Sequence, residues 1–124
     1  DGVRGFSLPW FTKLPFALCK GEALWLQIPE LPTSTLFKKS ITLVPWEKDL
    51  FWAGSSYEWS FEDPGPTAAF REKCIMLLKN WLKFPFRVLD HKAAVRPATL
   101  ERRPIVGFHP LYPSIGLLNG TMCR

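Results

Sequence analysis

Residues 67–82 read TAAFREKCIMLLKNWL, and this stretch decides the fold class. Phe70, Cys74, Leu77, Leu78, Trp81 and Leu82 recur at helical spacing and form one apolar stripe. Arg71, Lys73, Lys79 and Asn80 fall largely off it. Asp63-Pro64-Gly65-Pro66 breaks the chain just before, Thr67 offers a hydroxyl N-cap, and Pro85 ends the element soon after Lys83. The spacing predicts an amphipathic helix over about residues 68–82. No other stretch makes a convincing helix.

Upstream, residues 50–57 (LFWAGSSY) and 36–46 read as strands around the polar turn Glu47-Lys48-Asp49. A turn-linked pair of this kind is an antiparallel hairpin. Residues 20–28 alternate, with Leu24, Leu26 and Ile28 on one face and Ala23, Trp25 and Gln27 on the other. Residues 6–18 are apolar but interrupted by Pro9 and Pro15, which predicts a packed loop. Residues 1–5 read as the end of a strand and a turn. Downstream, residues 86–95 return to strand character, 96–113 are loop-rich with four prolines, and 114–119 form a short last strand. Strands and helices do not alternate, so a doubly wound parallel sheet is excluded. The expected fold is α+β: a mainly antiparallel sheet with one long amphipathic helix packed on one face.

A chain of 124 residues is the size of one domain, and 47% hydrophobic residues can form a core. No apolar run reaches the ~20 residues of a membrane helix, so no membrane association is expected. The net charge of +5 is spread along the chain without a nucleic-acid motif, so a mildly basic surface is preferred to a nucleic-acid site. Cys19, Cys74 and Cys123 are odd in number and widely spaced. Reduced, buried thiols in a cytoplasmic protein are the expectation. The chain opens on Asp1-Gly2-Val3-Arg4-Gly5, with neither Met nor a signal-peptide layout, and reads as part of a larger protein.

Several chemistries are missing. The glycines at 2, 5, 21, 54, 65, 107, 116 and 120 form no GxGxxG, and no GK followed by Ser or Thr is present. His91 and His109 make no HExxH and no His-rich metal site. Four local features remain. Lys20-Gly21-Glu22 opens a strand and is explained by a surface turn. Leu43-Val44-Pro45 precedes Phe51-Trp52-Ala53-Gly54-Ser55-Ser56-Tyr57, where Gly54 admits close approach by another group or accommodates packing. Arg96-Pro97 ends an apolar strand, and an unpaired guanidinium is costly to bury. Arg96 therefore faces a ligand anion, water or an internal acid. The fourth feature joins Glu101-Arg102-Arg103-Pro104-Ile105-Val106-Gly107 to Leu117-Leu118-Asn119-Gly120.

In that order, these features resemble the C-terminal half of FAD-dependent oxidoreductases of the D-amino-acid oxidase and glycine oxidase type. The resemblance covers nearly the whole chain. Its strongest parts are Arg96-Pro97 and Arg103-Pro104-Ile105-Val106-Gly107 at the family's spacing. It implies that residues 1–124 are a substrate-binding domain, and that an N-terminal Rossmann-like FAD-binding domain is missing from the chain. It implies an oxidase of a small amine or amino acid, by hydride transfer to flavin. Arg96 would bind the substrate carboxylate and Tyr57 would line its pocket, although a core tyrosine is the alternative. Pro104, Ile105, Gly107, Asn119 and Gly120 would meet the flavin. After Gly120 the family's GTKG is replaced by Thr121-Met122-Cys123-Arg124, so the flavin site is expected to be incomplete. The isolated chain is then expected to be inactive and free of FAD, with an exposed interface that drives self-association. The rival readings are a basic, aromatic binding module and a structural interaction domain.

Overall fold

A computed structural model describes residues 2–121. Asp1, expected at a strand end, and the thiol of Cys123 lie outside the described residues. Two compact units divide the chain. One takes the described parts of Asp1–Lys20, Glu58–Phe61 and Val95–Arg124; the other takes Gly21–Tyr57 and Glu62–Ala94.

The second unit holds the apolar core. Strand β1 (Phe16–Gln27) enters it from the first unit, followed by β2 (Phe37–Lys38), β3 (Thr42–Pro45), β4 (Leu50–Gly54), helix α1 (Ala68–Lys79) and the start of β5 (Arg87–Thr99). The sheet order is β2-β3-β4-β1-β5. The β2–β3, β3–β4 and β1–β4 pairs are antiparallel, with Leu24 opposite Ala53 and Leu26 opposite Phe51. Of the two faces that the alternation defines, it is the one with Leu24, Leu26 and Ile28 that is fully enclosed, with Leu43 and Phe51. Cys74 and Leu78 of α1 join the same cluster, with Phe70, Trp81 and Leu82 at its margin. Most of the predicted stripe thus lies against the sheet, with Ile75 rather than Leu77 in the cluster, and the α+β expectation holds. Thr67 caps it, its hydroxyl accepting from Phe70 N–H at 3.3 Å.

Several boundaries differ from the sequence reading: α1 ends at Lys79 rather than near residue 82, and β4 ends at Gly54 rather than at residue 57. The 36–46 strand is two strands, because the chain reverses at Lys39–Ile41, where Lys39 N–H donates to Ile41 O. Strand β1 begins at Phe16, directly after exposed Pro15, so the packed loop is shorter than expected. Strand β5 runs on to Thr99 through Pro97. It is the last strand in the sheet order, and an outer strand tolerates a residue without an N–H.

In the first unit, Gly2–Ser7 and Pro9–Phe11 are 3-10 turns rather than a strand end. Beyond β5, strands β6 (Ile105–Phe108) and β7 (Gly116–Asn119) form an antiparallel hairpin. Strand β6 lies inside the segment expected to be loop, whereas β7 matches the predicted last strand.

Candidate functional site

The densest polar cluster belongs to the second unit and centres on Glu22, whose side chain is fully buried. Thr67 N–H donates to Glu22 Oε2 at 2.6 Å, and the Thr67 hydroxyl donates to Oε1 at 2.8 Å. His91 Nε2 on β5 lies 2.9 Å from Oε2. Nε2 makes no directed hydrogen bond there. The imidazole stacks on Phe70 of α1, with centroids 5.6 Å apart. Glu22 N–H donates to Ser56 Oγ at 2.9 Å, and Ser56 N–H donates to Glu22 O at 3.2 Å. One carboxylate thus ties β1 to the N-terminus of α1 and to β5. The surface turn expected at Lys20-Gly21-Glu22 is overturned: the segment is the buried middle of β1. An ionised carboxylate is tolerated in such a place only when its oxygens are bonded, as here.

Tyr57 follows directly after Ser56 and is 57% exposed, which rules out the core alternative. Gly54 is a packing accommodation. A Cβ there would stand 2.9 Å from Ala23 Cβ and 3.1 Å from Glu22 O, so the close approach is made by β1 itself.

The other predicted residues fall in the first unit. Arg96 is half-buried on β5. Three residues on, Thr99 is buried and fastens a tight turn: its hydroxyl donates to Arg103 O at 2.7 Å and accepts from Arg103 N–H at 3.0 Å. Gly120 closes on that turn with φ +72°, and a Cβ on it would lie 2.7 Å from Thr99 Cγ2 and 3.7 Å from Pro104 Cα. Asn119 is buried, its Oδ1 accepting from Gly120 N–H at 2.8 Å. Ile105 pairs directly with Asn119 across the hairpin. Pro104, Ile105, Asn119 and Gly120 are therefore brought together, while Gly107 stands further along β6 with open space where a Cβ would project.

Ile105 and Gly107 also line an apolar groove of about 520 Å³, with Trp10 and Phe11 on its other wall. Val106 and Phe108 on the same strand are 75% and 77% exposed. Tyr57 belongs to the other unit, so the predicted substrate pair Arg96 and Tyr57 is divided between the two.

Cys19 and Cys74 are buried, as expected. Burial pushes the Cys74 thiol up to about 12. Among the described residues no cluster of metal-ligating side chains occurs, and no helix is long and apolar enough to cross a membrane. Lys39, Lys92 and Arg102 lie over the rings of Trp81, Trp25 and Trp59. The Glu22 cluster itself escaped the sequence reading. Its only signal was a charged residue in phase with neither polar neighbours nor a turn.

No family model matches the sequence. Among solved structures, the crystal structure of iminodiacetate oxidase (IdaA) from Chelativorans sp. BNC1 is similar, with a TM-score of 0.72 at 20% sequence identity. The match covers 88% of this chain and 31% of that one, so the chain spans about a third of the oxidase's length. At that identity the likeness is one of fold, and this chain has the fold of a part of that oxidase.

Proposed function

We propose that the chain is the substrate-binding part of an FAD-dependent oxidoreductase that oxidises a small amine or amino acid. The observation that carries this reading is the fold shared with iminodiacetate oxidase over 88% of the chain, joined to the ordered motifs around Arg96 and Arg103. Iminodiacetate is itself a secondary amine flanked by carboxylates, the kind of substrate a guanidinium can anchor.

The residues present suit a flavin at β6. Gly107 leaves an open face, and the exposed Val106 and Phe108 offer a flat apolar surface for a planar ring. Pro104, Ile105 and Gly107 would touch the ring, while Asn119 and Gly120, held inside the turn, would shape that surface. FAD, when bound, supplies a two-electron acceptor for the hydride that leaves the substrate's α-carbon as the amine becomes an imine. Arg96 would grip the substrate carboxylate with two parallel N–H donors and so fix the α-carbon. Tyr57 would wall the pocket and donate a hydrogen bond from its hydroxyl. The partner is an N-terminal FAD-binding domain, and the protein works in the cytoplasm.

The test uses the full-length natural protein. Arg96→Ala should raise KM for carboxylate-bearing amines by roughly tenfold or more, the worth of a charge-assisted bond. An unchanged KM removes Arg96 from the site. The sequence preceding Asp1 should contain GxGxxG. A second reading, a basic and aromatic binding module, draws on the exposure of Trp46, Phe108 and Tyr112. It requires salt-sensitive binding of an acidic peptide or single-stranded nucleic acid, which the oxidase reading does not.

A further inference from the structure

His109 stands one residue beyond β6 and lines the apolar groove together with Ile105, Gly107 and Phe11. Its main chain carries the hairpin ladder one bond further, His109 N–H donating to Ile115 O at 2.8 Å. Its side chain does two other things, with different atoms. Nδ1 accepts from Leu111 N–H at 3.1 Å and from Tyr112 N–H at 3.2 Å. Pro110, next in sequence, has no N–H, so these are the first two amides that can turn back onto the ring. A main-chain N–H only donates, so Nδ1 is an acceptor here and the proton of the neutral ring sits on Nε2. The ring also meets Phe11 edge to face, with centroids 5.9 Å apart and planes at 67°. Phe11 is buried in the Pro9–Phe11 turn of the other wall, where its N–H donates to Leu8 O at 3.1 Å.

We infer that His109 is a positioning residue that sets the distance between the two walls of this groove. Nδ1 holds residues 110–112, and with them the groove-lining Leu111, on the β6 side. The ring holds Phe11 on the other side. A two-stranded hairpin is marginal by itself, so the shape of its loop leans on side-chain bonds of this kind. The groove's volume of about 520 Å³ is that of a small-molecule site, and a flat ring enters it only while the walls keep their spacing. That the ring is a flavin rests on the oxidase reading, whereas the spacing of the walls does not.

Two variants of the full-length natural protein separate the two tasks. His109→Phe keeps a ring against Phe11 but has no acceptor. His109→Asn loses the ring but keeps an oxygen that can accept from the amides that follow it. Residue-resolved amide hydrogen exchange should then show a crossed pattern. His109→Phe should speed exchange at Leu111 and Tyr112 roughly tenfold or more and leave Phe11 protected. His109→Asn should speed exchange at Phe11 several-fold and leave Leu111 and Tyr112 within about threefold of the parent. Equal effects of the two substitutions at all three amides, or no effect of His109→Phe at Leu111 and Tyr112, overturns the inference. Should a variant fail to fold, the parent still decides: long-range proton–nitrogen correlation should find the ring proton on Nε2, and a proton on Nδ1 refutes the arrangement. Both variants should also weaken the apoprotein's affinity for FAD roughly fivefold or more, read by quenching of flavin fluorescence. Crossed exchange with unchanged FAD affinity upholds His109 as the positioning residue and takes the flavin out of this groove, so the two readings fail separately.

Discussion

Replacing Thr67 tests the junction on which the helix depends. Its hydroxyl makes two bonds at once, accepting from Phe70 N–H at 3.3 Å and donating to the buried Glu22 Oε1 at 2.8 Å. Losing an N-cap costs about 1 kcal/mol. Losing a hydrogen bond to a charged group costs about 1.5–3 kcal/mol. Thr67→Ala keeps the main-chain bond to Oε2, so the two losses add without collapse of the site, to about 2.5–4 kcal/mol. Thr67→Ser keeps the hydroxyl and should lose less than about 1 kcal/mol. Urea unfolding followed by far-ultraviolet circular dichroism and by the fluorescence of the 6 tryptophans reads this directly. At an m-value of roughly 2 kcal/mol per molar urea, the Thr67→Ala midpoint should fall by on the order of 1–2 M. Coincident curves from the two signals would license the two-state arithmetic. A loss under about 1 kcal/mol for Thr67→Ala, or equal losses for the serine and alanine variants, would refute the double role of the hydroxyl.

Two further outcomes are expected. Gly120→Ala places a Cβ 2.7 Å from Thr99 Cγ2 at φ +72°, and buried Thr99 has no room to retreat; left-handed strain and the clash together should cost about 2–4 kcal/mol, and a Tm within about 2 °C of the parent would contradict the packing. Cys74, raised from 9.0 to about 12 by burial, holds its proton longer folded than unfolded. Its contribution is intact below pH 9 and lost as pH rises toward about 12, at up to about 1.4 kcal/mol per pH unit. The difference between the parent and Cys74→Ala in denaturation at pH 8 and pH 10.5 should show that slope, and parallel pH dependences would remove it.

How much of this was legible depends on the range over which each element is specified. Helix α1 was readable because its period, its cap at Thr67 and its breakers all lie within a score of neighbouring residues. The division of β1 into two faces was readable because alternation is local. The length of β5 was not, because Pro97 is a breaker in the interior of a sheet and harmless on an outer strand, and only the strand order reveals which applies. Strand β6 was hidden for a related reason: the flanking Pro104 and Pro110 and its exposed side chains resemble a loop, and it is its pairing with β7 that makes it a strand. Glu22 was the hardest. Its partners Ser56 and Thr67 lie 34 and 45 positions away, so no window of sequence holds the information that its charge is met. The five residues assigned to a flavin came from motif order, and four of them prove to be neighbours around one turn and one hairpin.

The two units differ in how well they cover themselves, and that difference bears on the proposed partner. The second unit encloses Leu24, Leu26, Ile28, Leu43, Phe51 and Leu78 completely, a core in which sheet and helix satisfy each other. In the first unit the most deeply buried of the described residues are Lys20, Ala98 and Thr99, small or polar, whereas Val106, Phe108, Leu111 and Leu118 of the hairpin and its loop are 65% to 77% exposed. An isolated two-stranded hairpin is marginal in water, and apolar side chains on it gain nothing until something covers them. The hairpin that carries Ile105, Gly107 and Asn119 is thus the part of the chain with the most to gain from burial. A cofactor-bearing domain set against that hairpin would supply the burial its own unit lacks, which is the physical reason to prefer a dependent substrate domain to a self-sufficient binding module.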